Sequence, residues 1–304
     1  MSNQAKGLFY TLITVLMWGV LAIALKIASK EIDSPTIVWF RFSLAFSAMF
    51  AWMAFKNPKE LKILYKPSWL LILASSALAW NYLGFNLGVQ IAGAGNAQVA
   101  VQAGPVLLTV FGIIFFREKI SRTQAIGFLI AILGFWIFYR QHLSANAGQE
   151  EQYTKGMLFT LSGAVSWAVY AALQKKLVLQ YPVGTLNVFI FGLPVLLYLP
   201  FVDFASLAHL SFGYWALLVF LGANTLIAYG CLSLALKYLE AGKVSIILVL
   251  NPIITFVLMG ILTWLHVSWI DGEYFSVLSI AGALLALFGA VLVIRKKKSK
   301  IEIV

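Results

Sequence analysis

Apolar residues run in long blocks broken by short polar clusters, and the blocks set the architecture. Ten of them, at about 7–28, 35–55, 68–91, 94–116, 122–140, 155–177, 184–204, 211–237, 242–265 and 275–294, approach the ~20 residues that a helix needs to cross the hydrocarbon core of a bilayer. The uncharged run from Pro67 to Phe116 must hold two crossings, because one helix of that length would measure about 75 Å. Its turn falls at Ala92-Gly93-Ala94-Gly95. Alternation every second residue is absent and the blocks are about twice barrel-strand length, so the pattern predicts an all-α polytopic membrane protein of ten transmembrane helices.

Composition strengthens this picture. The chain is 62% hydrophobic and 11% charged, where a soluble domain is roughly 25% charged. The net charge of +11 does not point to nucleic acid, because the basic residues sit in short clusters at the ends of apolar blocks. With both termini cytoplasmic, 17 of the 22 lysines and arginines fall on the inner side. Only Lys26, Lys30, Arg140 and Lys155 fall outside, and Arg41 lies within the second helix. Lys6 and the first apolar block resemble a signal peptide, but the block is too long for one and has a counterpart later in the chain. The single cysteine, Cys231, allows no internal disulfide.

That counterpart is part of an internal repeat. KGLFYTLITVLMWGVLAIALKI (Lys6–Ile27) aligns without a gap with KGMLFTLSGAVSWAVYAALQKK (Lys155–Lys176), pairing Trp18 with Trp167 and Lys26 with Lys175. NYLGFNLGVQIAGAGNA resembles AYGCLSLALKYLEAGKV, Pro105 falls opposite Pro252, and Gly127 and Gly134 recur as Gly282 and Gly289. The expected organisation is a first repeat over 1–140, an outer linker over 141–154 and a second repeat over 155–304 with a basic tail. Five helices per repeat is an odd number, so the second enters the membrane inverted. Many secondary transporters have this architecture, with the solute site near the midplane between the repeats.

The run from Leu83 through GFNLGVQIAGAGNAQVAVQAGPVLLTVFGIIFFREKISRTQAIGFLIAILG to Gly134 resembles the EamA family of the drug/metabolite transporter superfamily. The shared features are a small-residue turn, a mid-helix proline, a basic-acidic cluster at Arg117-Glu118-Lys119 and a glycine-spaced helix. Asn251–Leu265 is a weaker copy, so the resemblance covers nearly the whole chain. It implies a bacterial inner-membrane carrier of small organic solutes, often an exporter, in a family that includes exporters of amino acids and aromatic metabolites.

The polar residues inside the blocks are the candidate site. Gln98 and Gln102 lie four apart on one helix face, with Pro105 three further along. Asn81, Tyr82 and Asn86 on the preceding helix, continued by Gln90, extend this into a polar stripe reaching from the midplane outward. Two readings stand: these amides line a solute cavity, or they bridge helix to helix at ~1–2 kcal/mol or less each. Pro105 and Pro252 free the carbonyls of Val101 and Leu248, as a hinge or a cavity wall would require. Trp18, Trp167, Tyr170 and Tyr229 fall near the midplane rather than at the interfaces, either packing or offering faces to a flat or cationic solute. Asn251, beside Pro252, completes the set. Arg41 either snorkels to water or faces the cavity and binds a carboxylate.

No Asp or Glu lies deep in any block, and His142, His209 and His266 fall in or beside outer loops, so a facilitator or exchanger is favoured over a proton-driven pump. An intramembrane enzyme would need clustered catalytic or metal-ligating groups, and a channel a polar path through both leaflets; the sequence offers neither. The expectation is a carrier of amino acids or related aromatic metabolites, needing no cofactor or metal, lipid-embedded and monomeric or homodimeric. The alternative is uptake of a quaternary amine in an aromatic cage.

Overall fold

The computed structural model describes residues 2–116, 121–145, 148–178, 180–239, 241–273 and 275–294. The Arg117-Glu118-Lys119 cluster and the tail 295–304 lie outside these, as does the side chain of Lys175. The first half contains α1 (Asn3–Ala28), α2 (Ser34–Lys56), α3 (Trp69–Ala92), α4 (Ala94–Ala100), α5 (Ala103–Phe116) and α6 (Arg122–Ala145). The second contains α7 (Glu150–Leu177), α8 (Val183–Tyr198), a short α9 (Phe204–Ala208), α10 (Phe212–Tyr238), α11 (Ala241–Leu248), α12 (Asn251–Trp264) and α13 (Val277–Ile294).

Among the described residues nine helical stretches are long and apolar enough to cross a membrane. The tenth crossing is α4 and α5 together, neither long enough alone at 7 and 14 residues. The sequence pattern predicts one continuous helix over 94–116 and another over 242–265; both are broken, at 101–102 and 249–250. The cause is proline. Pro105 and Pro252 have no N–H for the carbonyls of Val101 and Leu248, and the chain tightens into i→i+3 bonds instead, Gly104 N to Val101 O at 2.9 Å and Leu250 N to Ile247 O at 3.0 Å. Most of the expected 141–154 linker is absorbed into helix ends, with Glu150 and Glu151 in the first turn of α7, where acidic side chains favour the helix dipole.

The main helix pairings are α3 with α7, α1 with α10, α6 with α13 and α2 with α8. Exchanging the two halves maps this set onto itself. The repeats therefore interdigitate rather than stand side by side. Thr14 and Asn224 fix α1 antiparallel to α10 by reaching Ala228 O and Met17 O, while Thr255 reaches Gly19 O and Lys26, at the end of α1, reaches Asp271 O beyond the end of α12, so α12 runs parallel to α1. Asn81 meets Gly163 O and Ser166 meets Ala77 O, so α3 and α7 are antiparallel. At the α6–α13 crossing the repeated glycines face one another: a Cβ on Gly134 would stand 2.7 Å from Gly282 O, and one on Gly289 2.7 Å from Gly127 O. With no hydrophobic driving force between helices in lipid, such backbone approach is what holds them together.

Candidate functional site

A cavity of about 90 Å³ lies midway along the helices, space for a small organic molecule or several waters. Its wall draws on both halves. From the first come Trp18 and Leu21 (α1), Arg41 (α2), Asn81, Tyr82 and Phe85 (α3), and Gln98, Val101, Gln102 and Pro105 across the first helix break; from the second come Trp167 (α7), Tyr229 (α10), and Leu248 and Asn251 across the other break. Repeat-related residues meet here: Trp18 and Trp167 are both in the wall, and the rings of Tyr82 and Tyr229 stand 5.9 Å apart.

Arg41 is 2% exposed. Its Nε donates to Thr225 Oγ1 at 3.1 Å, and its Cζ sits 4.3 Å over the Tyr82 ring. Among the described residues no carboxylate lies within 4.0 Å of it, and its Nη groups make no hydrogen bond. A buried guanidinium costs several kcal/mol in lost hydration. One hydroxyl and one desolvated cation–π contact, worth ~2 kcal/mol or more, offset part of this and leave the fork free toward the cavity.

The amides are committed differently. Gln98 Nε2 donates to Trp18 O at 2.8 Å and Thr255 Oγ1 at 3.2 Å, and Gln102 Nε2 to Asn251 Oδ1 at 2.9 Å. They line the cavity and bridge helices at once. Asn86 does not reach it. Its Nδ2 donates to Ser34 O and its Oδ1 accepts from Ser29, which ties the α1–α2 turn to α3, and Gln90 Oε1 accepts from Ser34 Oγ. The polar stripe on α3 therefore divides, with Asn81 and Tyr82 on the cavity and the next two turns holding a loop. Tyr170 is buried behind Tyr229 at 6.3 Å, and Pro252 stands one residue outside the wall.

Thr225 and Thr255 are wall partners not singled out from the sequence, though each lies four residues from a candidate, Tyr229 and Asn251, and so shares its helix face. Glu273, in the α12–α13 connection, carries no such signal. Its carboxylate accepts from Ala94 N at 2.7 Å and Gly95 N at 2.9 Å and pairs with Lys26 Nζ at 2.7 Å.

Fold and cavity together define a two-repeat polytopic helical carrier. The model of the EamA-like transporter family matches residues 5–140 and 154–295, one copy per half, and the chain belongs to that family. It is 30% identical over 294 residues to the "Uncharacterized inner membrane transporter YhbE" of Escherichia coli K12, covering 95% of this chain and 92% of that one. It is 24% identical over 297 residues to a "Probable amino-acid metabolite efflux pump" of Salmonella typhimurium, with 93% of each chain covered. A solved crystal structure shares the fold, with a TM-score of 0.64 at 17% identity over 95% of this chain and 96% of that one.

Proposed function

We propose that the protein carries small solutes bearing a carboxylate and a flat or apolar side group, amino acids or related aromatic metabolites, across the bacterial inner membrane by alternating access, as an exporter or facilitator with both termini cytoplasmic. The observation that carries this reading is Arg41: a buried guanidinium at the wall of a midplane cavity, anchored through Nε and Tyr82, with its fork unpaired among the described residues. Such a fork matches a carboxylate in bidentate geometry. Trp18, Trp167 and Tyr229 supply apolar faces around it. The Salmonella relative, a probable amino-acid metabolite efflux pump, supports the same solute class, and one chain supplies a whole cavity, as a monomer or each subunit of a homodimer would.

The cationic alternative is disfavoured by the same residue. Arg41 occupies the Tyr82 face, Trp18 and Tyr229 pack edge to face at 5.6 Å, and Tyr170 lies behind the wall, so a fixed positive charge stands where a cage would have to form. Binding to purified protein separates the readings. An aromatic amino acid is expected to bind about ten- to a hundredfold more tightly than its amide, a preference of ~1.5–3 kcal/mol for a charged hydrogen-bond partner. Arg41→Gln is expected to abolish that preference. Tight binding of a choline-like cation, strengthened by Arg41→Gln, would overturn the proposal.

A further inference from the structure

Lys26, Glu273 and the start of α4 meet at the end of the bundle where α1 and α3 finish. The Glu273 carboxylate spans the first two amides of α4, with Oε1 on Ala94 N and Oε2 on Gly95 N, and Oε1 also pairs with Lys26 at the end of α1. Lys26 Nζ donates in addition to Asp271 O at 2.8 Å, and Glu273 N to Thr263 Oγ1 at 3.1 Å, so the connection between α12 and α13 is strapped over this end. Space for the carboxylate depends on glycine. A Cβ on Gly93, whose φ is +96°, would stand 2.8 Å from Glu273 Oε1, and one on Gly95 2.9 Å from Oε2. The side chains of Lys26 and Glu273 are 13% and 9% exposed.

What hangs from this clasp is the cavity wall. The seven residues of α4 carry Gln98 and lead into Val101 and Gln102; the other end of α4 is the proline break. The half-helix is tied at its start by Glu273 and, beside the proline break, by Gln98 to α1 and α12, so losing the clasp frees its start to turn about the break. We propose that Glu273 is a gating residue. Its bonds to the α4 amides and to Lys26 close the cavity toward this end, and their release lets α4 swing and admits solute from that side. On the orientation proposed above it is the outer gate. The inference rests on alternating access through the cavity and not on the solute class, so its test uses no solute.

In a Cys231→Ala background, a Leu21→Cys reporter in the cavity wall would be labelled with an impermeant thiol reagent applied separately to each side of oriented vesicles. A Ser206→Cys reporter marks the relevant side, since α9 lies at the same end, where Asp203 N donates to Thr36 Oγ1 near the start of α2. Glu273→Gln is expected to speed labelling from that side by about tenfold, the effect of losing a charge-assisted contact, and to slow it from the other. Glu273→Asp, one methylene short, should fall between. Lys26→Gln leaves both amide bonds in place; it should act in the same direction and is the decisive variant if Glu273→Gln does not fold. Unchanged or slower labelling in folded Glu273→Gln or Lys26→Gln protein, with only the melting temperature reduced, would make the contact a helix cap and overturn the gate.

Discussion

Gln98 shows how much one side chain joins in this protein. Its Nε2 holds the Trp18 carbonyl of α1 and the Thr255 hydroxyl of α12, and Thr255 in turn donates to Gly19 O at 2.6 Å. A substitution here should not separate fold from function, because the groups that bridge the helices also form the cavity wall. Gln98→Leu is expected to lower stability by ~1–3 kcal/mol, since the buried partner groups lose a donor. Solute affinity is expected to fall with it. Melting of the solubilised protein alongside solute titration checks both. A stability loss with affinity intact would assign Gln98 to the scaffold alone and leave Arg41 and the tryptophans as the site.

At the scale of elements, the two broken helices dominate. Each crosses the cavity at its break, and each break lies a turn before or beside a proline that cannot complete the helical ladder. Pro105→Ala restores an N–H facing Val101 O and should knit α4 to α5. The fold is expected to be unharmed or slightly stabilised, because Pro105 sits in the first turn of α5, where proline is tolerated, and its replacement adds at most one net hydrogen bond of ~0.5–1.5 kcal/mol. Flux in proteoliposomes is expected to drop roughly two- to tenfold, as a hinge stiffened by one net hydrogen bond of ~0.5–1.5 kcal/mol moves less readily. Loss of stability with unchanged flux would make the break a static feature of the wall.

For the whole molecule, interdigitation means that the main helix pairings, α3 with α7, α1 with α10, α6 with α13 and α2 with α8, each join one half to the other. Because α1 runs antiparallel to α10 and parallel to α12, and α3 antiparallel to α7, each helix of one half finds its partner in the other. The membrane orientation of this assembly is tested by chemistry at its two ends. A cysteine placed at Ser206 should react with an impermeant reagent from outside intact cells, and one at Asn57 should not. The reverse would turn the proposed exporter geometry upside down.

The helices, the two halves and their inversion were legible in the sequence because each follows from local sums. About twenty apolar residues favour lipid wherever they occur, an odd number of crossings inverts the next repeat, and i,i+4 spacing places side chains on one face regardless of partner. Most of the cavity wall was legible for the same reason: Gln98, Gln102, Tyr82, Trp18 and Trp167 carry their polarity or aromaticity at helical spacing and midplane depth. Tertiary structure decided what depends on a neighbour from elsewhere in the chain. Asn86 and Asn81 look alike along α3, yet Ser34 takes the first and Gly163 the second. Whether Arg41 reaches water or a cavity depends on Thr225 and Tyr82, and Glu273, in a loop whose sequence marks nothing, acquires its role only because α4 begins beneath it. Burial makes these pairings strong, and burial belongs to the folded whole rather than to any segment.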